Sequence, residues 1–204
     1  MEDRSCGQFQ GPKPWEAYHV TGEFSKLGKG YVNHCGPTSI TNLILSLRQQ
    51  ENSQICSQEE AVRVFEEVAA IGKRHVLYVN VDLLKVWGGT LDLGAGRFIA
   101  LCLKKIGILI ARVKRRRFCS RKNLEAALSR GSILYIIMRH HKKYKNHHIL
   151  CYGLEDGRLR VADNWSRTPQ YLTFEEVKWY FFIEVELRRV DTPEQETSPL
   201  VFSR

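Results

Sequence analysis

Cys35-Gly36-Pro37-Thr38 places a thiol where an apolar-periodic stretch begins. Ile40, Leu43, Ile44 and Leu47 recur at i, i+3, i+4 and i+7, one buried helical stripe. Pro37 suits the first helical turn, where a missing N–H costs the helix nothing. Cys35 is therefore expected at a helix N-terminus, where unpaired backbone N–H groups and the helix dipole favour a thiolate. Such a sulfur is a candidate nucleophile if the chain also supplies a base to take its proton and a group to orient that base. Seven histidines are available. His148–Leu154 and Arg158–Ala162 are β-like runs flanking Glu155-Asp156-Gly157, and Asp-Gly between such runs signals a hairpin. That hairpin sets His147 and His148, at the outer end of one strand, beside Asp163 and Asn164 at the outer end of its partner. A strand-end histidine facing a carboxylate or amide is a base with its orienter, and Cys35 would join them in space.

The elements that position these groups are legible in part. Residues 1–30, rich in Gly, Pro and Lys, form an irregular entry segment. Ser57-Gln58-Glu59-Glu60 is a capping box opening a second helix, with Ala61, Val64, Phe65 and Val68 on one face. Val76–Val81 is a short strand or an extended linker, and Asp82–Trp87 a helical turn. Gly88-Gly89 and Gly94-Ala95-Gly96 break the chain as turns, since no GK[ST] or strand–GxGxxG–helix context makes them a phosphate loop. A third helix runs over about Arg97–Lys105, followed by an apolar strand, Ile108–Val113. Ser120 or Asn123 caps a short helix carrying Leu124, Ala127 and Leu128 and closed by Gly131. Ile133–Met138 is a buried strand. Thr173-Phe174-Glu175-Glu176 has capping-box spacing, and Phe181–Leu187 is a final strand. Helices first and an antiparallel sheet after make the fold α+β. One domain is expected over residues 1–190, with a frayed tail over 191–204.

With 43% hydrophobic residues the chain can bury a core without staples, and no run of about 18 apolar residues marks a membrane span. The N-terminus lacks a charged-then-apolar secretory pattern, which argues for the cytoplasm. The six cysteines contain no CxxC pair and are expected as reduced thiols, with Cys102 and Cys151 buried and inert. The net charge of +9 gathers in two clusters. Arg112, Lys114, Arg115, Arg116, Arg117, Arg121 and Lys122 form one, and Arg139, Lys142, Lys143 and Lys145, interleaved with His140 and His141, form the other. They point either to an acidic partner or to a solvated strand edge kept from pairing by its charge. No nucleic-acid-binding motif or ring-stacking pattern accompanies them. A metal site from His140, His141, His147 and His148 is disfavoured, because adjacent strand residues face opposite ways and no further ligand lies nearby at suitable spacing. No cofactor is expected.

The chain also resembles a family. Cys35-Gly-Pro-Thr entering a helix, Asn146-His147 opening a strand that ends in Tyr152-Gly153, and Asp163-Asn164-Trp165 closing the next strand look like papain-superfamily cysteine peptidases. The nearest branch is the bacterial one that cleaves double-glycine leaders from bacteriocin precursors. Leu124-Glu-Ala-Ala-Leu-Ser-Arg-Gly131 before a buried strand is also similar to the stretch preceding the catalytic histidine there. The resemblance implies a papain-like fold, with an N-terminal helical part whose nucleophile helix packs on a C-terminal antiparallel sheet. It implies Cys35 as nucleophile, His147 as general base and acid, Asp163 as orienting residue, and Trp165 as the tryptophan shielding the pair. His147 rather than His148 follows the family's Asn-His pattern and its spacing of six residues to Gly153. The roughly 110 residues from Cys35 to His147 fit a compact bacterial relative better than a lysosomal-type enzyme, whose spacing is about 130–150.

The chain departs from the family upstream of the cysteine. No glutamine lies between Lys13 and Cys35 to supply a side-chain N–H to the oxyanion hole, and Lys29 stands six residues before Cys35. Asn33 or Lys29 are candidates for that donor, beside the Cys35 backbone N–H, with Asn164 a further orienting candidate. Losing one such donor costs about 2.7–4 kcal/mol in a comparable site. The implied chemistry is acyl transfer through a thioester: a peptidase acting on a peptide, an acidic peptide being one partner that the basic clusters suit. An acyltransferase with the same triad, or a catalytically silent module that binds a peptide or leader, are the alternatives.

Overall fold

The computed structural model describes residues 31–52, 57–83, 87–108, 111–115, 118–166 and 168–187. The entry segment 1–30, with Lys29 and Cys6, lies outside these residues, as do Cys56, Arg116, Arg117 and the tail beyond 187. Helix α1 spans Cys35–Asn52 and α2 Gln58–Arg74. Strands β1 (Tyr78–Leu83) and β2 (Trp87–Thr90) follow, then a 3-10 turn (Asp92–Gly94) and α3 (Ala95–Lys105). The second half contains β3 (Ala111–Arg115), α4 (Arg121–Ser129), β4 (Ile133–His141), β5 (Lys145–Glu155) and β6 (Arg158–Ala162). It closes with β7 (Gln170–Leu172), α5 (Phe174–Val177) and β8 (Phe181–Leu187). The fold is α+β: helices and a six-stranded sheet of order β3-β8-β4-β5-β6-β7, antiparallel at every pairing.

Strand alternation divides this sheet between two cores. Tyr135, Ile137, Leu150, Tyr152, Ile183 and Val185 face the core shared with α1, α2 and α3. Leu134, Ile136, Ile149, Cys151, Val161 and Phe182 face a second core closed by Leu124, Ala127 and Leu128 of α4. Helix α1 is buried on nearly all sides, and its stripe Ile40, Leu43, Ile44 and Leu47 is at most 2% exposed. Its polar residues are buried too, so each needs a partner. Thr41 Oγ1 donates to the Pro37 carbonyl and Ser46 Oγ to that of Asn42. Ser39 instead reaches the His148 carbonyl on β5, and Asn42 reaches Asn164 just past β6, which ties this helix to the sheet and its open end.

Local signals place most ends. Ser57 Oγ accepts from Glu60 N, and Ser120 Oγ from Asn123 N, so Ser120 rather than Asn123 caps α4. Thr173 and Glu176 form a complete capping box. The Asp156-Gly157 turn has both residues at positive φ, as a type I′ hairpin requires. The expected helical turn over Asp82–Trp87 is not formed, because β1 continues through Leu83 and β2 begins at Trp87. Gly88-Gly89 is likewise no turn but lies within β2, with Gly89 at φ +115 beside Asn33. Both misreadings share a cause: this two-stranded pairing is cross-strand, and its short Gly-rich partner has no alternation to reveal it. Around Gly94 the chain passes from the 3-10 turn straight into α3, which starts at Ala95, two residues before its predicted start. The strand predicted at 108–113 is formed at Ala111–Arg115. It is an edge strand, which accounts for Arg112 and Lys114 on it as charges that block further pairing.

Candidate functional site

Helix α1 begins at Cys35, with Thr38 N bonded to the His34 carbonyl. Tight packing explains the glycine that follows. A Cβ on Gly36 would sit 1.9 Å from Thr90 Oγ1 and 3.0 Å from His148 Nδ1. The thiol borders a cavity of about 590 Å³ whose wall also includes Asn33, His34, Thr90, Asp92, His147, His148, Asn164 and Trp165. Thus Asn33, Cys35, His147, Asn164 and Trp165, singled out from the sequence, do meet around one space.

The electrostatics of the sulfur differ from the expectation for a bare helix start. N–H groups of His148, Gly36 and Cys35 itself favour the thiolate, but burial outweighs them, and the Asp92 carboxylate adds to it. The thiol pKa is raised, so the resting sulfur is protonated at neutral pH. Cys102, Cys119 and Cys151 are fully buried, and burial pushes their thiols up as well, Cys151 to about 12.

His147 is 4% exposed. Its Nε2 donates to the backbone carbonyl of Asp163 at 2.6 Å. A carbonyl can only accept, so in the neutral ring Nδ1 keeps the lone pair of a base. Trp165 packs on one side of the ring, 4.4 Å between centroids, and Tyr144 stacks at 5.8 Å with the planes 12° apart. Burial lowers the pKa of His147 to about 4, so it is neutral at pH 7.

The Asp163 carboxylate does not bond the imidazole. Its oxygens accept from Trp165 N at 3.0 Å, Ser166 N at 2.8 Å, Ser166 Oγ at 3.1 Å and Tyr144 Oη at 3.2 Å. It therefore builds both aromatic walls around His147, while its own carbonyl holds Nε2. Asn164, at φ +64, has a different task. Its Nδ2 donates to Ser39 Oγ and to the His148 carbonyl, and its Oδ1 accepts from Asn42 Nδ2. Both N–H bonds are committed, which leaves none for an oxyanion. Asn33 is exposed on the cavity rim, at φ +49, with no side-chain hydrogen bond among the described residues.

His148 shares its sheet face with Leu150 and Tyr152, the α1 side, whereas alternation assigns His147 to the α4 side with Ile149 and Cys151. Both ring nitrogens of His148 are engaged: Nε2 donates to Asp92 Oδ1 at 3.3 Å, and the Tyr135 hydroxyl pairs with Nδ1 at 2.8 Å. Asp92 also accepts from Arg139 Nε at 2.7 Å; burial alone would raise its carboxyl, but the hydrogen bonds from His148 and Arg139 outweigh it and hold the carboxyl below the usual range. Asp92, Tyr135 and Tyr144 were not identified from sequence. Tyr144 is a hairpin-tip residue whose burial no local pattern foretells, and Asp92 arrives from a separate segment. Among the described residues, no group of three or more His, Cys, Asp or Glu is placed to hold a metal ion, and no helix is long and apolar enough to cross a membrane.

No family model and no curated protein matches the chain. Among solved structures it is similar to the peptidase domain of Streptococcus ComA, described as a bi-functional ABC transporter involved in a quorum sensing pathway. The identity is 13% and the TM-score 0.45, over 76% of this chain and 93% of that one.

Proposed function

We propose that this chain is a cysteine-nucleophile hydrolase, a peptidase that cleaves a peptide through a thioester on Cys35. The observation that carries the reading is the state of His147 in the cavity it shares with Cys35. Its Nε2 is anchored on Asp163, its faces are covered by Trp165 and Tyr144, and its Nδ1 has no hydrogen-bond partner among the described residues. His148 has no such free nitrogen.

Burial favours the neutral form of both partners, so the pair works by general-base transfer rather than from a preformed thiolate. His147 Nδ1 takes the Cys35 proton as sulfur attacks the carbonyl carbon. The tetrahedral oxyanion is met by the Cys35 backbone N–H and the Asn33 amide. The protonated ring then returns its proton to the leaving amine, and water resolves the thioester. Asp163 keeps the ring in register through its carbonyl, and its carboxylate keeps Trp165 and Tyr144 in place.

A second reading, a silent peptide-binding module, is favoured by the same raised thiol pKa and by the absence of an upstream glutamine. The pH dependence of Cys35 alkylation by iodoacetamide decides between them. A base with a pKa near 4 is unprotonated across the physiological range. Assisted alkylation should therefore persist well below pH 8 in the wild type and be lost in His147→Ala. A profile that is the same in both proteins, with alkylation falling about tenfold per pH unit below pH 8 as for an unassisted thiol, removes the catalytic reading. Mass spectrometry of the acyl-enzyme formed from peptide and thioester substrates then separates a peptidase from an acyltransferase.

A further inference from the structure

The β4–β5 hairpin, residues 139–146, carries Arg139, Lys142, Lys143 and Lys145 and no acidic residue. All four cations are exposed. The hairpin is also fixed against the candidate site. Its two arms end in Arg139 and Asn146, both on the cavity wall. Between them Tyr144 is 1% exposed, bonded to Asp163 and stacked on His147. The tip is held from within, because His141 Nδ1 accepts from the backbone N–H groups of Lys143 and Tyr144 at 3.2 and 3.1 Å. Asn146 Oδ1 accepts from His140 N at 3.0 Å. His140 and Lys145 take up positive φ and the register shifts between Met138 and His141, so the turn is bulged and its backbone follows a defined course.

Neighbouring carboxylates are already engaged. Asp92 binds Arg139 and His148, Asp163 is 1% exposed with four donors, Glu176 bonds Thr173, and Glu175 pairs with Lys178. Lys143 lies over the Tyr144 ring and donates to Gln170. Lys142 and Lys145 have no carboxylate partner among the described residues. Unpaired cations on a rigid support next to a cavity attract an anionic ligand at low entropic cost.

We infer that the β4–β5 hairpin is a substrate-docking surface for an acidic stretch of the peptide whose carbonyl is presented to Cys35. This deepens the peptidase reading and rests on it. A peptide is favoured over nucleic acid because the patch is one hairpin wide and its arms end on the wall of the cavity that the thiol borders, whereas a duplex or a single strand needs a charged track along several elements. The lysines set affinity for acidic flanks and leave the chemistry at sulfur untouched.

The test uses two tetramethylrhodamine-labelled dodecapeptides, one with four glutamates and one with glutamines in their place. Binding is followed by fluorescence anisotropy on the Cys35→Ala protein at pH 7.5 and low salt, with a single-stranded oligonucleotide as comparison. The acidic peptide should bind at least about fivefold tighter than its glutamine counterpart, as one or two exposed ion pairs allow. The preference should fade with added salt and vanish in Lys142→Glu/Lys145→Glu and in Lys142→Gln/Lys145→Gln. In the wild type the acidic peptide should also protect Cys35 from iodoacetamide. Equal binding of the two peptides, preference for the oligonucleotide, an unchanged preference in both double variants, or binding without protection would each overturn the proposal. The peptidase reading fails separately, through an ordinary alkylation profile of the unliganded protein.

Discussion

Acidification should withdraw a defined amount of stability through His147. The ring is buried among Tyr144, Trp165 and Asp163, with His34 and His148 close enough to disfavour its charge, and its pKa falls from 6.5 to about 4. The unfolded chain binds the proton from about pH 6.5 downward and the folded chain only near 4. Stability is therefore complete above about pH 6.5 and drains as the pH falls through that window. A shift of this size is worth about 3.4 kcal/mol once the pH is below both values, and about 2 kcal/mol of it is gone by pH 5. His34 and His141 are also lowered by burial and contribute a slope of their own, so the measurement is a difference. Urea unfolding at pH 7.5 and 5 should show the wild type losing about 2 kcal/mol more than His147→Gln, which keeps an N–H donor for the Asp163 carbonyl but cannot titrate. Equal losses in the two proteins would mean that His147 is solvated, and the case for a neutral, shielded base would fall with it.

Other substitutions probe the supports of the site. Gly36→Ala drives a methyl into Thr90 and should cost about 1–3 kcal/mol in urea unfolding. Because it pushes on the first turn of α1, it should also change the alkylation rate of Cys35. Asn164→Ala removes three buried hydrogen bonds that join α1 and β5 to the segment just past β6. A loss of about 2–3 kcal/mol is expected in the same assay, with slower Cys35 alkylation as the helix and strand separate. Thr173→Ala abolishes the capping box of α5, none of whose residues lines the Cys35 cavity. It should cost about 1 kcal/mol and leave the alkylation profile unchanged.

Of the fold, the elements with a local physical signature were legible from the chain alone. The α1 stripe, three side-chain caps and the Asp-Gly turn each depend on residues a few positions apart, so their spacing carries the information. The β1–β2 pair had no such signature, since its register is settled by cross-strand contact, and glycines within a strand look like a turn.

The site divides along the same line. Residue order was enough to bring Cys35, His147 and Trp165 to one cavity, because a helix start and the open end of a hairpin are positions that local sequence determines. The sign of the Cys35 pKa shift was not available there: a helix start favours the thiolate, and only burial in the assembled protein reverses it. The partners of Asp163 and Asn164 were equally out of reach. One carboxylate went to Tyr144, Trp165 and Ser166 and one amide to Asn42, Ser39 and His148, through contacts that span up to 125 positions. Residue types and local order determined which chemistry this chain could attempt. Burial and long-range hydrogen bonding, which exist only once the layers pack, decided the protonation states and bonds with which its side chains enter that chemistry.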